Sequence, residues 1–296
     1  MVRRYVTRAL SVGLALAAAF SGLEASAATI GGSNGLIKFT GNVETDMPLG
    51  VIPGNQIVDG GPPTRVAQAQ WMTDAGYTTG WAMKDVRFNY DDTSDTLQVG
   101  INFYGIAGDA DGNGDPGGAD ARTVAAGGLD LAHMGGRKSI SVAFAPDSSS
   151  GPSSPGGAVV VAGISADKTK AGPGINGFNV ASYVASNKGI AYNYGQTLSN
   201  HLGELAFDPS AATPDFQFSI EDFSKIPGLN SSSGFWFQVY AGSPDDVVAG
   251  EATVGWFRMN GRFSPQTIPE PATVLAWGTV AGIAAWSVRR SRRKAA

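Results

Sequence analysis

The chain has 296 residues, a net charge of −4 and no cysteine, which excludes disulfides, thiolate metal sites and cysteine nucleophiles. Charge is unevenly spread: eight of the 21 Lys and Arg residues, but only two of the 25 acids, lie in residues 1–27 and 269–296, leaving 13 basic against 23 acidic side chains between them. So acidic a middle repels nucleic acid and anionic lipid and favours cations. The first element in chain order is a secretory signal over residues 1–27. Arg3, Arg4 and Arg8 precede an apolar run from Ala9 to Phe20, too short for a permanent span. Ala25 and Ala27 then supply the small side chains that signal peptidase requires, with cleavage expected before Ala28.

Residues 28–268 read as one extracytoplasmic domain. Apolar residues alternate over short runs separated by Gly and Pro, the pattern of strands with one face inward. The clearest pair is Val86, Phe88, Tyr90 and then Leu97, Val99, Ile101, Phe103, joined by the acidic turn Asp91–Asp95. Further strands are expected at 36–40, 139–145, 157–164, 178–184, 189–194, 203–207, 215–221, 234–241 and 252–259. No stretch keeps a helical period for four turns, so the predicted class is all-β: an antiparallel β-sandwich, jelly-roll-like. Phe88, Phe103, Phe144, Phe216, Phe218, Phe235, Trp236, Phe237 and Trp256 supply core material. About ten such side chains at about 1.5–3 kcal/mol each make a fold without disulfides credible. Alternation places Phe235 and Phe237 on one face and Trp236 on the other, as sheet packing or as a sugar-stacking platform.

The segments Gly80–Val86, Tyr90–Ile101 and Gly105–Gly112 resemble an uncharacterised β-sandwich domain of exported bacterial proteins, distantly similar to family-9 carbohydrate-binding modules. The resemblance implies a surface β-domain without an assigned activity. Trp81 and Trp236 are the aromatics expected to contact glycan if the chain binds one, with Tyr104 and Trp256 as further candidates.

Asp109, Asp111, Asn113, Asp115 and Asp120 fall at positions 1, 3, 5, 7 and 12 of a loop with Gly114 at position 6, which matches the calcium loop of an EF-hand. Pro116 and the neighbouring strands argue against flanking helices. The expectation is a structural Ca2+ loop outside an EF-hand fold, pinning a long connection where no disulfide can. Gly172-Pro173-Gly174-Ile175-Asn176-Gly177 satisfies G-x-G-x-x-G on paper, but it lacks the strand–helix context of a phosphate cradle. His133 and His201 are the two histidines, and no nucleophile elbow or zinc-protease motif accompanies them. No catalytic residue is assigned.

The last element starts at Pro269-Glu270-Pro271, continues through a charge-free apolar stretch over 272–288 and ends in Arg289, Arg290, Arg292, Arg293 and Lys294. Its length of 17 residues is the short limit for a single transmembrane helix, and the cations behind it hold that end in the cytoplasm. Tripeptide, helix and basic end together resemble the PEP-CTERM sorting signal, a tail also labelled an ice-binding protein C-terminal domain. The resemblance implies recognition by an exosortase, transfer from the inner membrane to the cell surface or extracellular matrix, and association with exopolysaccharide in a biofilm. The expected function is thus a sorted surface protein without catalytic activity. A carbohydrate-binding module and a secreted hydrolase are the alternatives.

Overall fold

The computed structural model describes residues 31–32, 35–47, 52–53, 70–147, 157–208, 215–229, 233–244, 248, 250–253 and 255–260. The signal segment with Ala25 and Ala27, and the tail with Pro269, Glu270, Pro271 and the apolar stretch 272–288, lie outside the described residues. No helix among the described residues is long and apolar enough to cross a membrane.

Two antiparallel sheets face each other. In the first, the hairpin of β3 (Met83–Asp91) and β4 (Thr96–Phe103) is extended by β10 (Phe216–Ile220) and β9 (Leu202–Ala206). The short β1 (Gly31–Gly32) and β2 (Ile52–Pro53) pair with the outer edge of β3, β1 in parallel. The second sheet runs β12 (Glu251–Ala252), β11 (Gly234–Gly242), β5 (Ser139–Pro146), β6 (Val160–Ile164), β7 (Phe178–Tyr183), β8 (Tyr194–Thr197), and β13 (Phe257–Asn260) also pairs with β11. Strands β5 to β8 form a meander, and the chain crosses between sheets after β4, β8 and β10.

Period-two alternation decides what lies between the sheets. Val86, Phe88, Tyr90, Leu97, Val99, Ile101, Phe216, Phe218 and Ile220 of the first sheet meet Phe144, Phe178, Phe235, Phe237 and Val239 of the second in one core. Phe88 stands edge-on to Phe237 at 4.7 Å and to Phe235 at 5.8 Å, and Phe223 closes the same end against Phe235 at 5.2 Å. Such contacts between apolar rings hold the two sheets in register without cross-links. The turn between β3 and β4 is fixed by Asp95, left-handed at φ 53°, which accepts from Tyr90 Oη and from the amide and hydroxyl of Ser224.

The outer face of the first sheet is polar yet buried. Asp85, Arg87 and Asn89 on β3, Gln98 and Asn102 on β4, and Gln217 on β10 lie beneath a strap formed by residues 35–47. Within the strap, Val43–Asp46 makes one helical turn (α1), capped by Asn42. Arg87 pairs with both oxygens of Asp85 and donates to the carbonyls of Val43, Glu44 and Met47. Gly100 permits this close seat, because a Cβ there would stand 2.7 Å from Met47 Sδ.

Three expected strands take other forms. Residues 36–40 join no ladder among the described residues; the Ile37 amide donates to Gln98 Oε1 and the Thr40 amide to Asp46 Oδ2 instead. Over 189–194, Gly189 at φ 88° breaks the extended chain and a 3-10 turn covers Ile190–Tyr192 before β8 begins. The 252–259 run divides into β12 and β13.

Candidate metal centre

The loop that leaves β4 is built against the segment that enters β3. Gly80 N–H donates to Asp109 O, Gly108 N–H to Gly80 O, and Thr79 Oγ1 to Ala110 O at 2.7 Å. Gly112, at φ 73°, lies so close to Thr78 that a Cβ would collide with its backbone. These contacts bury Asp109 and Asp111 at the start of the loop.

The two carboxylates meet a third that the loop motif does not contain. Ligand oxygens of Asp109, Asp111 and Asp130 lie within 4.8 Å of one another, and all three residues are buried. Each is partly held by the chain. Asp109 accepts from the Gly112 and Gly114 amides at 2.7 and 2.8 Å, and Asp111 from Asn113 N, Asp120 N and Thr123 Oγ1. Asp130 pairs through Oδ1 with Lys138, a buried lysine that also donates to Leu131 O and to Pro116 O at 2.8 Å. Asp130 Oδ2 is enclosed and has no hydrogen-bond partner among the described residues.

The electrostatics follow. Burial pushes Asp109 above the ordinary carboxylate range, with its amide donors opposing and the Asp111 charge adding to the shift. Burial likewise pushes Asp130 up to about 7, against the Lys138 ammonium and with the help of Asp109. Three ionised carboxylates beside one ammonium would leave two negative charges in a poorly solvated place, so the group favours either protons or a cation. Oxygen-only donors suit a hard cation. Asp130 Oδ2, without a hydrogen-bond donor among the described residues, is the position at which a cation could be held.

The cluster and the loop spacing share two residues. Asp109 and Asp111 are in the cluster, whereas Asp115 and Asp120 are not. Asp115 is exposed and accepts from Gly117 N, Asp120 caps the short helix α2 (Ala121–Ala125) through Arg122 N, and the Asn113 amide is spent on Asp115 N and Gly118 O. A single helical turn therefore does follow the loop. Its cap takes the carboxylate that an EF-hand would turn toward calcium.

Comparisons with family models, curated proteins and solved structures give no match to this chain.

The remaining expected residues are dispersed. Trp81 has 0% of its surface exposed, so it belongs to the core and cannot stack on a sugar. Trp236, at 7% exposed, packs on the outer face of the second sheet, whose neighbours Phe235 and Phe237 point inward. Tyr104 is 37% exposed and Trp256 partly so. His201 meets Glu221 O through Nδ1, His133 is exposed, and among the described residues neither is hydrogen-bonded to a serine side chain or a carboxylate. In the glycine-rich loop, Gly172 and Gly174 donate their amides to Gly177 O and Phe178 O, which leaves no cradle for phosphate.

Asp130 is the residue that loop spacing missed. Its one sequence signal is an acid set between Leu129 and Leu131, a weak sign of a buried carboxylate.

Proposed function

We propose that the chain is an exported surface or extracellular-matrix module without catalytic activity, a β-sandwich whose longest described loop is fixed by Ca2+. The observation that carries the calcium reading is the enclosed Asp109, Asp111 and Asp130 group with its unpartnered oxygen, in a chain that has no cysteine to tie the same loop. Asp109, Asp111 and Asp130 would hold the ion, which would neutralise their charge. Around it, the Gly112 and Gly114 amides orient Asp109, Thr123 Oγ1 orients Asp111, and Lys138 orients Asp130.

The placement outside the cell rests on the signal segment 1–27 and on the Pro269-Glu270-Pro271 tail, with signal peptidase and an exosortase as processing partners. The absence of an assigned reaction rests on the scattered histidines and on the use of the best carboxylate cluster as a cation site.

Melting the full-length chain in calcium and in chelator tests the ion: calcium raises the midpoint, and an unchanged midpoint defeats the reading. Fractionating cells with and without the sorting enzyme tests the address. The expected product lies outside the inner membrane and ends near Pro271, whereas a cytosolic chain with both ends intact would reject it.

A further inference from the structure

A second site lies beside the carboxylate cluster and has the opposite charge. A cavity of about 630 Å³ opens between residues 129–137, 166–168 and 188–192, within the range of about 300–1,000 Å³ typical of small-ligand sites. Arg137, Lys168 and Lys188 line it, with Asp167 as the one carboxylate. This is a net positive hollow on a middle that carries 13 basic against 23 acidic side chains.

Elsewhere most of the described cations are engaged, Lys38, Arg122 and Lys170 excepted. Lys84, Arg87, Lys138, Lys225 and Arg258 each form an ion pair, whereas Arg137, Lys168 and Lys188 form none among the described residues. Three unpaired cations converging on one cavity concentrate anions there. The walls are fixed. Ser165 Oγ and Ala166 N both bond Ala191 O, and Lys138, next to Arg137, is anchored on Asp130. The Lys168 stem lies across Gly136, where a Cβ would displace it.

The lining also separates an acid sugar from a bare anion. Asp167 gives Oδ1 to the amide and hydroxyl of Thr169, and no described group bonds its Oδ2. A carboxylate in the wall repels phosphate or sulfate but accepts hydroxyl donors. Tyr192 adds an aromatic ring, with Lys188 Nζ 5.0 Å from its centroid. Oxyanions, hydroxyls and an apolar ring face are combined in uronate sugars. We propose that this cleft binds an acidic, uronate-type oligosaccharide, with Arg137, Lys168 and Lys188 on its carboxylates and Asp167 on its hydroxyls. The inference deepens the surface-module reading by naming a ligand, but binding is measured on purified chain, so it stands or falls separately from cellular location and from calcium.

The test is calorimetric titration of the full-length chain in calcium-free buffer with a galacturonate tetrasaccharide, a neutral tetrasaccharide of glucose and inorganic phosphate. The acid sugar is expected to bind, at least tenfold more tightly than either other probe, and to weaken at least fivefold in 1 M salt, where the Debye length is about 3 Å. Lys168→Glu and Arg137→Glu each weaken it at least tenfold, the neutral Lys168→Gln less, and Lys225→Gln, outside the cleft, not at all. Equal binding of the neutral sugar, phosphate binding as tight as the oligosaccharide, no binding at millimolar concentration, or insensitivity to the Arg137 and Lys168 changes in chains that melt normally would each overturn the proposal.

Discussion

Two buried polar clusters flank the β3–β4 hairpin, and they differ in whether the protein completes them. Under the strap, Arg87 is matched to Asp85 and to three carbonyls, and Asp215 takes the Val43 and Phe103 amides at 3.0 and 3.1 Å. In the loop behind β4, three carboxylates share one ammonium and an enclosed oxygen is left over. The first cluster is closed and serves as internal fastening. The second is open, and an open buried cluster calls for something the chain does not supply.

The largest expected effect breaks the closed cluster. Arg87→Ala strands Asp85 and should cost about 3–5 kcal/mol, read by denaturant unfolding with or without calcium. Next comes filling the open one. Calcium at a hundred times its Kd should add about 2.7 kcal/mol, a rise of several degrees in Tm. Asp130→Asn should abolish that rise while leaving the chelator-treated protein as stable as the parent, or more so, because it removes charge from a crowded group. A loss of stability in chelator would mean that Asp130 acts only as the partner of Lys138.

A smaller effect reads the strap cluster by pH. Burial, reinforced by the Asp85 and Glu44 charges, pushes Asp215 up to about 6 against its two amide donors. The folded chain then holds a proton that the unfolded chain has released, so this contribution is full below 3.8 and is lost as pH rises through about 6. Relative to Asp215→Asn, the parent should lose about 1–2 kcal/mol across that window after allowance for screening, measured by urea unfolding at each pH. The smallest expected effect is that of Asp115→Ala. Because Asp115 is exposed and outside the carboxylate group, the calcium-induced rise should change by less than about 0.5 kcal/mol.

The parts of this architecture visible in the sequence are those where one physical rule acts alone. Alternation along Val86–Phe103 and through Phe235-Trp236-Phe237 marked the buried faces, because a two-residue period in a sheet leaves little choice. Where several rules compete, reading failed. Segment 36–40 of the strap has strand-like composition, but its Ile37 and Thr40 amides find the side chains of Gln98 and Asp46. Trp81, a candidate glycan contact by sequence, is enclosed in the core beside a loop whose close approach depends on Gly80 and Gly112. The carboxylate site was half legible: Asp109 and Asp111 lie in a recognisable spacing, whereas Asp130 joins them only through the fold, and Asp120 is diverted to a helix cap that local spacing does not reveal.

The strap has a bearing on assembly order. Gly41 waits for Gln217 and Val43 for Asp215, partners 176 and 172 positions further along. A chain made from its N-terminus can therefore seat the strap on Arg87 and Gln98 of the hairpin but cannot complete these two bonds until about three quarters of its length exists, and closure over so long a span is entropically slow. One of the first-made pieces thus waits on a late one, so a nascent chain halted before β10 holds its strap by the β3–β4 hairpin alone, with the Gly41 and Val43 amides unclaimed.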